Sequence, residues 1–262
     1  MCVPRPYLSC DGVTGSVWIR FVSMSVTELR GDVDGATISP MLAALFTLPA
    51  SCSVHVTLIR HGQTEWNVAG RLQGASDSAL TARGVQQATA CGRRLCSAHF
   101  DAIYTSPLPR ARRTAELVGA ELNAAPSIVE DERLRERSFG DWEGLPWATI
   151  QRERAEELKL SVQDPAYAIP GGGESRSELL VRVLEFLDVL PQIHADEARI
   201  LIVTHSATST ALIKHVLGLR PEQRRSFDVR NLAINTIESD RDDPACWMLR
   251  TLGDCAHLEG LA

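Results

Sequence analysis

Arg60, His61 and Gly62 follow one another directly after an apolar run, residues 54–59 (Val-His-Val-Thr-Leu-Ile). That run is β-branched and aliphatic, which is typical of a buried strand. Ligands bind at the carboxyl ends of strands in open α/β sheets. These residues therefore predict a cation and an imidazole at a ligand site. A guanidinium matches phosphate oxygens, and a neutral imidazole attacks phosphorus. Taken alone, however, the three residues are equally typical of a polar turn.

A second histidine has the same position relative to its strand. His205 follows residues 198–204, the most hydrophobic strand-like segment of the chain. Two histidines that follow neighbouring buried strands are expected to lie side by side at one edge of the sheet. His61 is therefore the candidate nucleophile for a phosphoryl group, and His205 is its expected neighbour.

Residues 60–67 (RHGQTEWN) resemble a known signature, Arg-His-Gly-(Glu/Gln)-(Thr/Ser)-x-x-Asn. It belongs to the histidine phosphatase superfamily, which includes the cofactor-dependent phosphoglycerate mutases. Further segments resemble later motifs of this family, in the family's order. They are residues 73–74 (QG), 106–115 (SPLPRARRTA), 134–144 (LRERSFGDWEG) and 170–175 (PGGGES). The resemblance covers about residues 54–262, and several motifs in register are far less easily produced by chance than one.

Two arginines are the candidate clamp for the phosphoryl group. Arg60 precedes His61, and the family's second motif selects Arg110, whereas Arg112 and Arg113 are interpreted as a solvated charged face. Two guanidinium groups offset the charge that develops on phosphoryl oxygens, and the start of a helix adds backbone donors. Nearby cations also disfavour an imidazolium, so they favour the neutral form of His61.

Glu136 is the candidate general acid. The resemblance implies that the first glutamate of residues 134–144 protonates the leaving alkoxide, which leaves poorly without a proton. Asp141 and Glu143 are rivals in the same segment, and a structural role at a loop end is preferred for both. The resemblance also implies that His205 hydrogen-bonds the phosphoryl oxygens.

Three more residues are candidate substrate contacts. Asn67 ends the first signature, and Gln73 and Gly74 match the family's Gln-Gly step, whose glutamine touches the phosphoryl group in phosphatase-type members. Asn67 is equally suited to forming a turn. Ser175, in the glycine-rich segment, is explained by its ability to cap the following helix.

Strand-like and helix-like segments alternate from residue 54 onward. Strands are predicted at residues 54–59, 100–105 and 198–204, with late or edge strands near 236–237 and 247–250. Helices are predicted after Thr81, from Arg110, and over residues 175–194 and 207–217. This alternation predicts an α/β fold, a three-layer α/β/α sandwich with a mostly parallel central sheet. The resemblance implies the same architecture, of the phosphoglycerate mutase-like type.

Composition limits the classes of partner and cofactor. A net charge of −6 predicts no nucleic-acid partner and no membrane surface, and no apolar run is long enough to span a bilayer. The seven cysteines include no C-x-x-C pair, which predicts neither a zinc site nor a disulfide framework and favours the cytoplasm. The sequence has no P-loop motif for NTP binding, no H-E-x-x-H motif for a metal and no G-x-S-x-G motif of a serine hydrolase. No cofactor and no metal are expected.

Residues 1–52 match nothing in the family and are predicted to be a poorly ordered extension of a catalytic domain at 53–262. Residues 41–50 are apolar and come closest to a targeting segment. Asp32 and Asp34 precede this segment, with few basic residues nearby. A secretory signal peptide instead has a positively charged region before its apolar core.

The predicted function is metal-independent hydrolysis of a small phosphorylated metabolite through a phosphohistidine. One alternative is a cofactor-dependent phosphoglycerate mutase that uses 2,3-bisphosphoglycerate, and another is a non-catalytic phospholigand-binding module. Gln73-Gly74-Ala75 replaces the mutases' Thr-Gly-Trp step, and their longer insertion is missing, so hydrolysis is favoured. The presence of both His61 and Glu136 argues against the module.

The leaving-group pocket is expected within residues 145–170, with candidate contributions from Trp147, Arg152, Arg154 and Tyr167. A solvated helix is an equally good interpretation of that segment. The sequence does not specify the substrate. It also does not specify whether the protein is a monomer or an oligomer such as a dimer.

Overall fold

The computed structural model describes residues 9–10, 17–18, 52–243 and 245–261. The first two pairs form short strands, β1 (Ser9–Cys10) and β2 (Val17–Trp18), which pair antiparallel. The expectation about the order of residues 1–52 falls almost entirely outside the described residues, so it stays a prediction.

A six-stranded sheet forms the centre of the described residues from 52 onward. Its strands are β3 (Val54–Arg60), β4 (Ala102–Thr105), β5 (Ile128–Glu130), β6 (Ala198–Thr204), β7 (Ile234–Ser239) and β8 (Trp247–Asp254). Their order across the sheet is β5-β4-β6-β3-β7-β8. The first four run parallel to one another, β7 runs antiparallel to β3, and the edge strand β8 pairs antiparallel with β7. The prediction of a mostly parallel α/β sheet is confirmed.

Helices follow the strands and cover the sheet. They are α1 (Glu65–Val68), α2 (Ala82–Leu95), α3 (Pro109–Gly119), α4 (Trp147–Glu153), α5 (Ala155–Gln163), α6 (Arg176–Ile193) and α7 (Ser206–Val216). The two predicted caps are present. The Thr81 hydroxyl accepts a hydrogen bond from the Gly84 backbone at 2.9 Å, and Ser175 forms a capping box with Glu178.

The core lies on both faces of the sheet. Leu58 and Ile59 are consecutive residues of β3, both fully buried, and their side chains point to opposite faces. Leu58 belongs to the apolar cluster that contains Phe186 of α6, whereas Ile59 belongs to the cluster that contains Ala115 of α3. A strand buried on both faces is what a three-layer sandwich requires, and each such side chain contributes about 1.5–3 kcal/mol.

The pairing of β3 with β6 places the residues that follow the two strands side by side. The two strands run parallel, with Arg60 opposite Thr204. The next residue of each strand, His61 and His205, therefore emerges beside the other. Within the part of the chain that the structure describes, no helix is long and apolar enough to cross a membrane.

Candidate active site

A cavity of about 1120 Å³ opens at the carboxyl ends of β3 and β6. Seven of the eight predicted site residues line it: Arg60, His61, Asn67, Gln73, Gly74, Arg110 and Glu136. The eighth, His205, lies directly behind His61. The structure therefore brings together residues that are up to 145 positions apart in the chain.

The His61 imidazole is held in one orientation and one tautomer. Its side chain is almost fully buried, with 2% of the residue exposed, and Nδ1 lies 2.8 Å from the Gly62 carbonyl oxygen. A carbonyl oxygen only accepts, so Nδ1 carries the proton and Nε2 keeps its lone pair. Burial, and then the charges of Arg60 and Arg110, lower the pKa of His61 well below its ordinary value. The ring is therefore neutral, with a free lone pair on Nε2, as a nucleophile requires.

Gly62 leaves room for another segment of backbone beside His61. In the structure, a Cβ at Gly62 would lie 2.7 Å from the Gly84 carbonyl oxygen. The Gly62 amide also donates to the Thr114 hydroxyl at 3.0 Å. The glycine therefore allows the first turn of α2 to approach the backbone beside the nucleophile.

His205 is fully buried, and its ring centroid is 5.2 Å from that of His61. Its Nε2 lies 2.7 Å from the Ser106 hydroxyl oxygen, which also accepts the Leu108 amide at 3.2 Å. We assign the hydroxyl proton to the bond with Nε2, which places the ring proton on Nδ1. Among the described residues Nδ1 has no partner, so it is a free donor beside His61. Burial, followed by the charge of Arg110, lowers the pKa of His205 well below its ordinary value.

Arg60 and Arg110 are both anchored and both keep unused donors. Arg60 Nη1 donates to the Val229 carbonyl at 2.9 Å. The Arg110 guanidinium, on the first turn of α3, donates to the carbonyls of Ser76 and Gly74, both at 2.7 Å, and pairs with Asp77 at 2.9 Å. The Nε atoms of both arginines are buried without a partner among the described residues. These N–H groups are available to phosphoryl oxygens.

The Glu136 carboxylate faces the cavity from the loop before α4. It is 9% exposed and accepts the Ala207 amide at 3.0 Å, on the first turn of α7. The rival carboxylate of Glu143 does not line the cavity. Glu143 accepts the backbone amides of Ala75, Ser76 and Phe139, each at 2.9 Å, which agrees with a structural role. Burial alone raises the pKa of Glu143, but these bonds outweigh it and lower the pKa overall.

The three other candidate substrate contacts, Asn67, Gln73 and Gly74, also have contacts within the protein. Asn67 forms a capping box with Thr64 at the start of α1, and Gln73 accepts the Ser78 hydroxyl at 3.2 Å. Gly74 has φ +60°, and a Cβ there would lie 2.2 Å from a Glu143 carboxylate oxygen. The capping box accounts for Asn67 without a ligand, whereas the Gln73 amide nitrogen remains a candidate donor.

The sequence model of the family described as "Histidine phosphatase superfamily (branch 1)" matches residues 56–251. The chain belongs to the histidine phosphatase superfamily. The match includes the candidate residues Arg60, His61, Arg110, Glu136 and His205.

Individual members of the superfamily agree with this assignment. "Probable phosphoglycerate mutase GpmB" of Erwinia tasmaniensis is 35% identical over 211 residues, which cover 80% of this chain and 97% of that protein. The structure of Bacillus stearothermophilus YhfR has a TM-score of 0.71 and 33% identity, over 79% of this chain and 100% of that one. A phosphoserine phosphatase of Entamoeba histolytica, in complex with phosphoserine, has a TM-score of 0.67 and 28% identity, over 78% and 99%. The chain is thus a histidine phosphatase superfamily enzyme of the phosphatase or mutase-like kind.

Several residues of this histidine phosphatase site were missed by the sequence argument. Asn231 Nδ2 donates to the His61 carbonyl at 2.7 Å, although 170 positions separate the two residues. Ser106 was noted only as part of a motif, and Asp77 was not considered. Arg137 lines the cavity, is 4% exposed, and has a buried Nη2 without a partner in the described part of the chain. Its position next to Glu136 was the available signal.

The expected leaving-group pocket is only partly correct. Trp147 lines the cavity, but Arg152, Arg154 and Tyr167 do not. The two arginines pair with neighbouring glutamates on the exposed side of α4 and α5, and Tyr167 packs against a small apolar cluster. The opposite wall comes instead from residues 219 and 221–228, between α7 and β7.

The buried histidines make the stability of the fold depend on pH. An unfolded histidine has a pKa of about 6.5, whereas the pKa values of His61 and His205 are well below it in the folded state. As the pH falls below about 6.5, the unfolded chain binds protons that the folded chain does not, so stability is lost. Each histidine contributes up to about 1.4 kcal/mol per pH unit in this window.

We therefore expect the free energy of unfolding of His61→Gln, from urea titrations between pH 7 and 5, to depend less steeply on pH than that of the wild type. Thr114→Ser changes a neighbouring contact without removing a titratable group and should keep the wild-type slope. Equal slopes for His61→Gln and wild type would contradict the lowered pKa of His61.

Proposed function

We propose that the protein hydrolyses phosphomonoesters of small metabolites through a covalent intermediate on His61. The observation that carries this proposal is the buried, neutral imidazole, whose Nε2 is free because Nδ1 donates to the Gly62 carbonyl. Two arginines with unused donors and the carboxyl group of Glu136 share its cavity. This set supplies a nucleophile, charge stabilisation and a proton source for one reaction.

In the first step, His61 Nε2 forms a bond to phosphorus while the bond from phosphorus to the ester oxygen breaks. Glu136 donates its proton to the departing oxygen, so the alcohol leaves neutral. In the second step, the ionised Glu136 takes a proton from water, whose oxygen attacks the phosphohistidine and releases inorganic phosphate. Arg60 and Arg110 hold the phosphoryl oxygens in both steps, and we propose that His205 Nδ1–H donates to one of them.

Hydrolysis is favoured over isomerisation by two features of the chain. Residues 73–75 are Gln-Gly-Ala, and Glu143 holds this loop through the Ala75 and Ser76 amides, close to the Arg110 side chain. Only two short helices, α4 and α5, occupy the connection where the dedicated mutases have a longer insertion. The name of the Entamoeba relative also supports a phosphatase, whereas the name of the Erwinia relative supports a mutase.

One assay separates the candidate functions. The purified protein is incubated with phosphoserine, and separately with 3-phosphoglycerate plus its 2,3-bisphosphate, without added metal. We expect release of inorganic phosphate to exceed formation of 2-phosphoglycerate at least about tenfold, which corresponds to 1.4 kcal/mol between the two barriers. Isomerisation that outpaces phosphate release would assign the protein to the mutases. Binding without turnover of any ester would indicate the non-catalytic module.

A further inference from the structure

Positive charge extends along the cavity well beyond the phosphoryl end. Of the described residues that line it, eight are arginine or lysine and three are aspartate or glutamate. The whole chain, in contrast, has a net charge of −6. Arg60 and Arg110 account for the part of this excess that a phosphoryl group needs. The remaining cations therefore require another explanation.

Three of these cations come from three different elements and converge beside the cavity wall that residues 221–228 form. Arg176 begins α6, Lys214 lies on α7, and Arg225 lies in the connection to β7. Arg176 Nη1 and Lys214 Nζ both donate to the Pro221 carbonyl, at 3.4 and 2.8 Å. Arg225 Nη1 donates to the Thr210 hydroxyl at 3.1 Å, one helical turn before Lys214. Backbone and hydroxyl oxygens thus hold the three side chains without neutralising them.

Among the described residues, none of the three side chains forms an ion pair within 4 Å, although the charge of Glu222 partly opposes the lowering of the pKa values of Arg176 and Lys214. Glu222 also lines the cavity, but it pairs with Arg220 at 2.8 Å. Burial, and then the charge of Arg176, lower the pKa of Lys214. Like charges held together are unfavourable, and an anion bound between them removes that cost.

The size of the cavity agrees with a ligand that contacts both the clamp arginines and these three cations. Its volume of about 1120 Å³ is far more than one phosphoryl group fills, and ligand pockets of roughly 300–1,000 Å³ enclose most of a drug-sized molecule. We propose that Arg176, Lys214 and Arg225 form a second anion subsite, and that the preferred substrates are phosphomonoesters whose leaving alcohol carries a carboxylate or a second phosphate. This inference rests on the proposed function, because it places the ester phosphate at Arg60 and Arg110.

The test compares ligands that differ only in the second charge. The His61→Ala variant lacks the nucleophile, so calorimetric titration measures binding of intact esters. We expect 4-carboxyphenyl phosphate to bind about tenfold more tightly than 4-carbamoylphenyl phosphate at low salt. A third ligand, 1,4-phenylene bisphosphate, distinguishes the two anions: tighter binding than the carboxylate would assign the subsite to phosphate, and weaker binding would assign it to carboxylate.

Substitution then locates the subsite. Adding Arg176→Gln and Arg225→Gln to the same background should reduce the preference for the carboxylate to less than about twofold. Arg113→Gln, on the exposed face of α3, is the matched control and should keep the full preference. Equal affinity for the two monophosphates, absence of binding by both, or a preference that survives the double substitution would overturn the proposal.

The outcomes for the two proposals are distinguishable. Hydrolysis of both monophosphates by the wild type, without a preference in binding, would overturn the second subsite alone. A clear binding preference, together with no phosphate release from any ester, would overturn the hydrolase alone.

Discussion

His61→Ala is expected to lower the rate of phosphate release by at least about 10⁴-fold, because it removes the atom that we propose accepts the phosphoryl group. The imidazole is oriented by its bond to the Gly62 carbonyl and kept neutral by burial and two arginines. No side chain placed beside it reproduces that arrangement, since His205 Nε2 is engaged with Ser106. The measurement is steady-state phosphate release from phosphoserine and from p-nitrophenyl phosphate.

The matched control is His99→Ala, an exposed histidine that does not line the cavity. This variant should retain wild-type rates. Circular dichroism and thermal unfolding show whether His61→Ala remains folded. A folded His61→Ala protein that keeps more than about 1% of the wild-type rate would show that His61 is not the nucleophile.

Glu136→Gln is expected to have the second largest effect, and its size should depend on the leaving group. The amide retains the shape and the bond from the Ala207 amide, but it cannot deliver a proton. General acid catalysis contributes about 10²–10⁴-fold, so release of an alkyl alcohol should slow by about that factor. The p-nitrophenolate anion leaves well without a proton, so the pre-steady-state burst of nitrophenol should fall less than about tenfold.

Glu143→Gln is the matched control for the acid, because it changes the rival carboxylate in the same segment. Glu143 accepts hydrogen bonds from the backbone of Ala75 and Ser76, so its loss should act through the geometry of that loop. The hydrolysis rates of both esters should therefore fall to a similar degree. Leaving-group dependence in Glu143→Gln, and its absence in Glu136→Gln, would reverse the assignment of the general acid.

The sequence predicts the sheet and the central part of the site because both depend on local patterns. An apolar run followed by Arg60 and His61, and a second run followed by His205, already specify two parallel strands that end at one edge. The observed register, with Arg60 opposite Thr204, makes that juxtaposition precise. The caps at Thr81 and Ser175 follow from short-range hydrogen bonding, which is why they too were predictable.

Other features depend on tertiary contacts that have no local signature. Asn231 reaches the His61 carbonyl from a connection near the end of the chain, and nothing in its neighbours indicates that contact. The wall at residues 221–228 was missed for the same reason, and of the four candidates within residues 145–170 only Trp147 lines the cavity. The close approach of the Gly84 carbonyl to Gly62 likewise depends on the packing of α2 against the loop that follows β3.

Trapping of the covalent intermediate tests the central claim most directly. Wild-type protein is mixed with phosphate-labelled substrate, quenched within milliseconds in base, and digested for peptide mapping. We expect a base-stable, acid-labile label on the peptide that contains His61, approaching about one phosphoryl group per site when the second step limits turnover, and absent from His61→Ala. Phosphate release by the wild type with no such label, or with the label on another residue, would contradict the phosphohistidine mechanism.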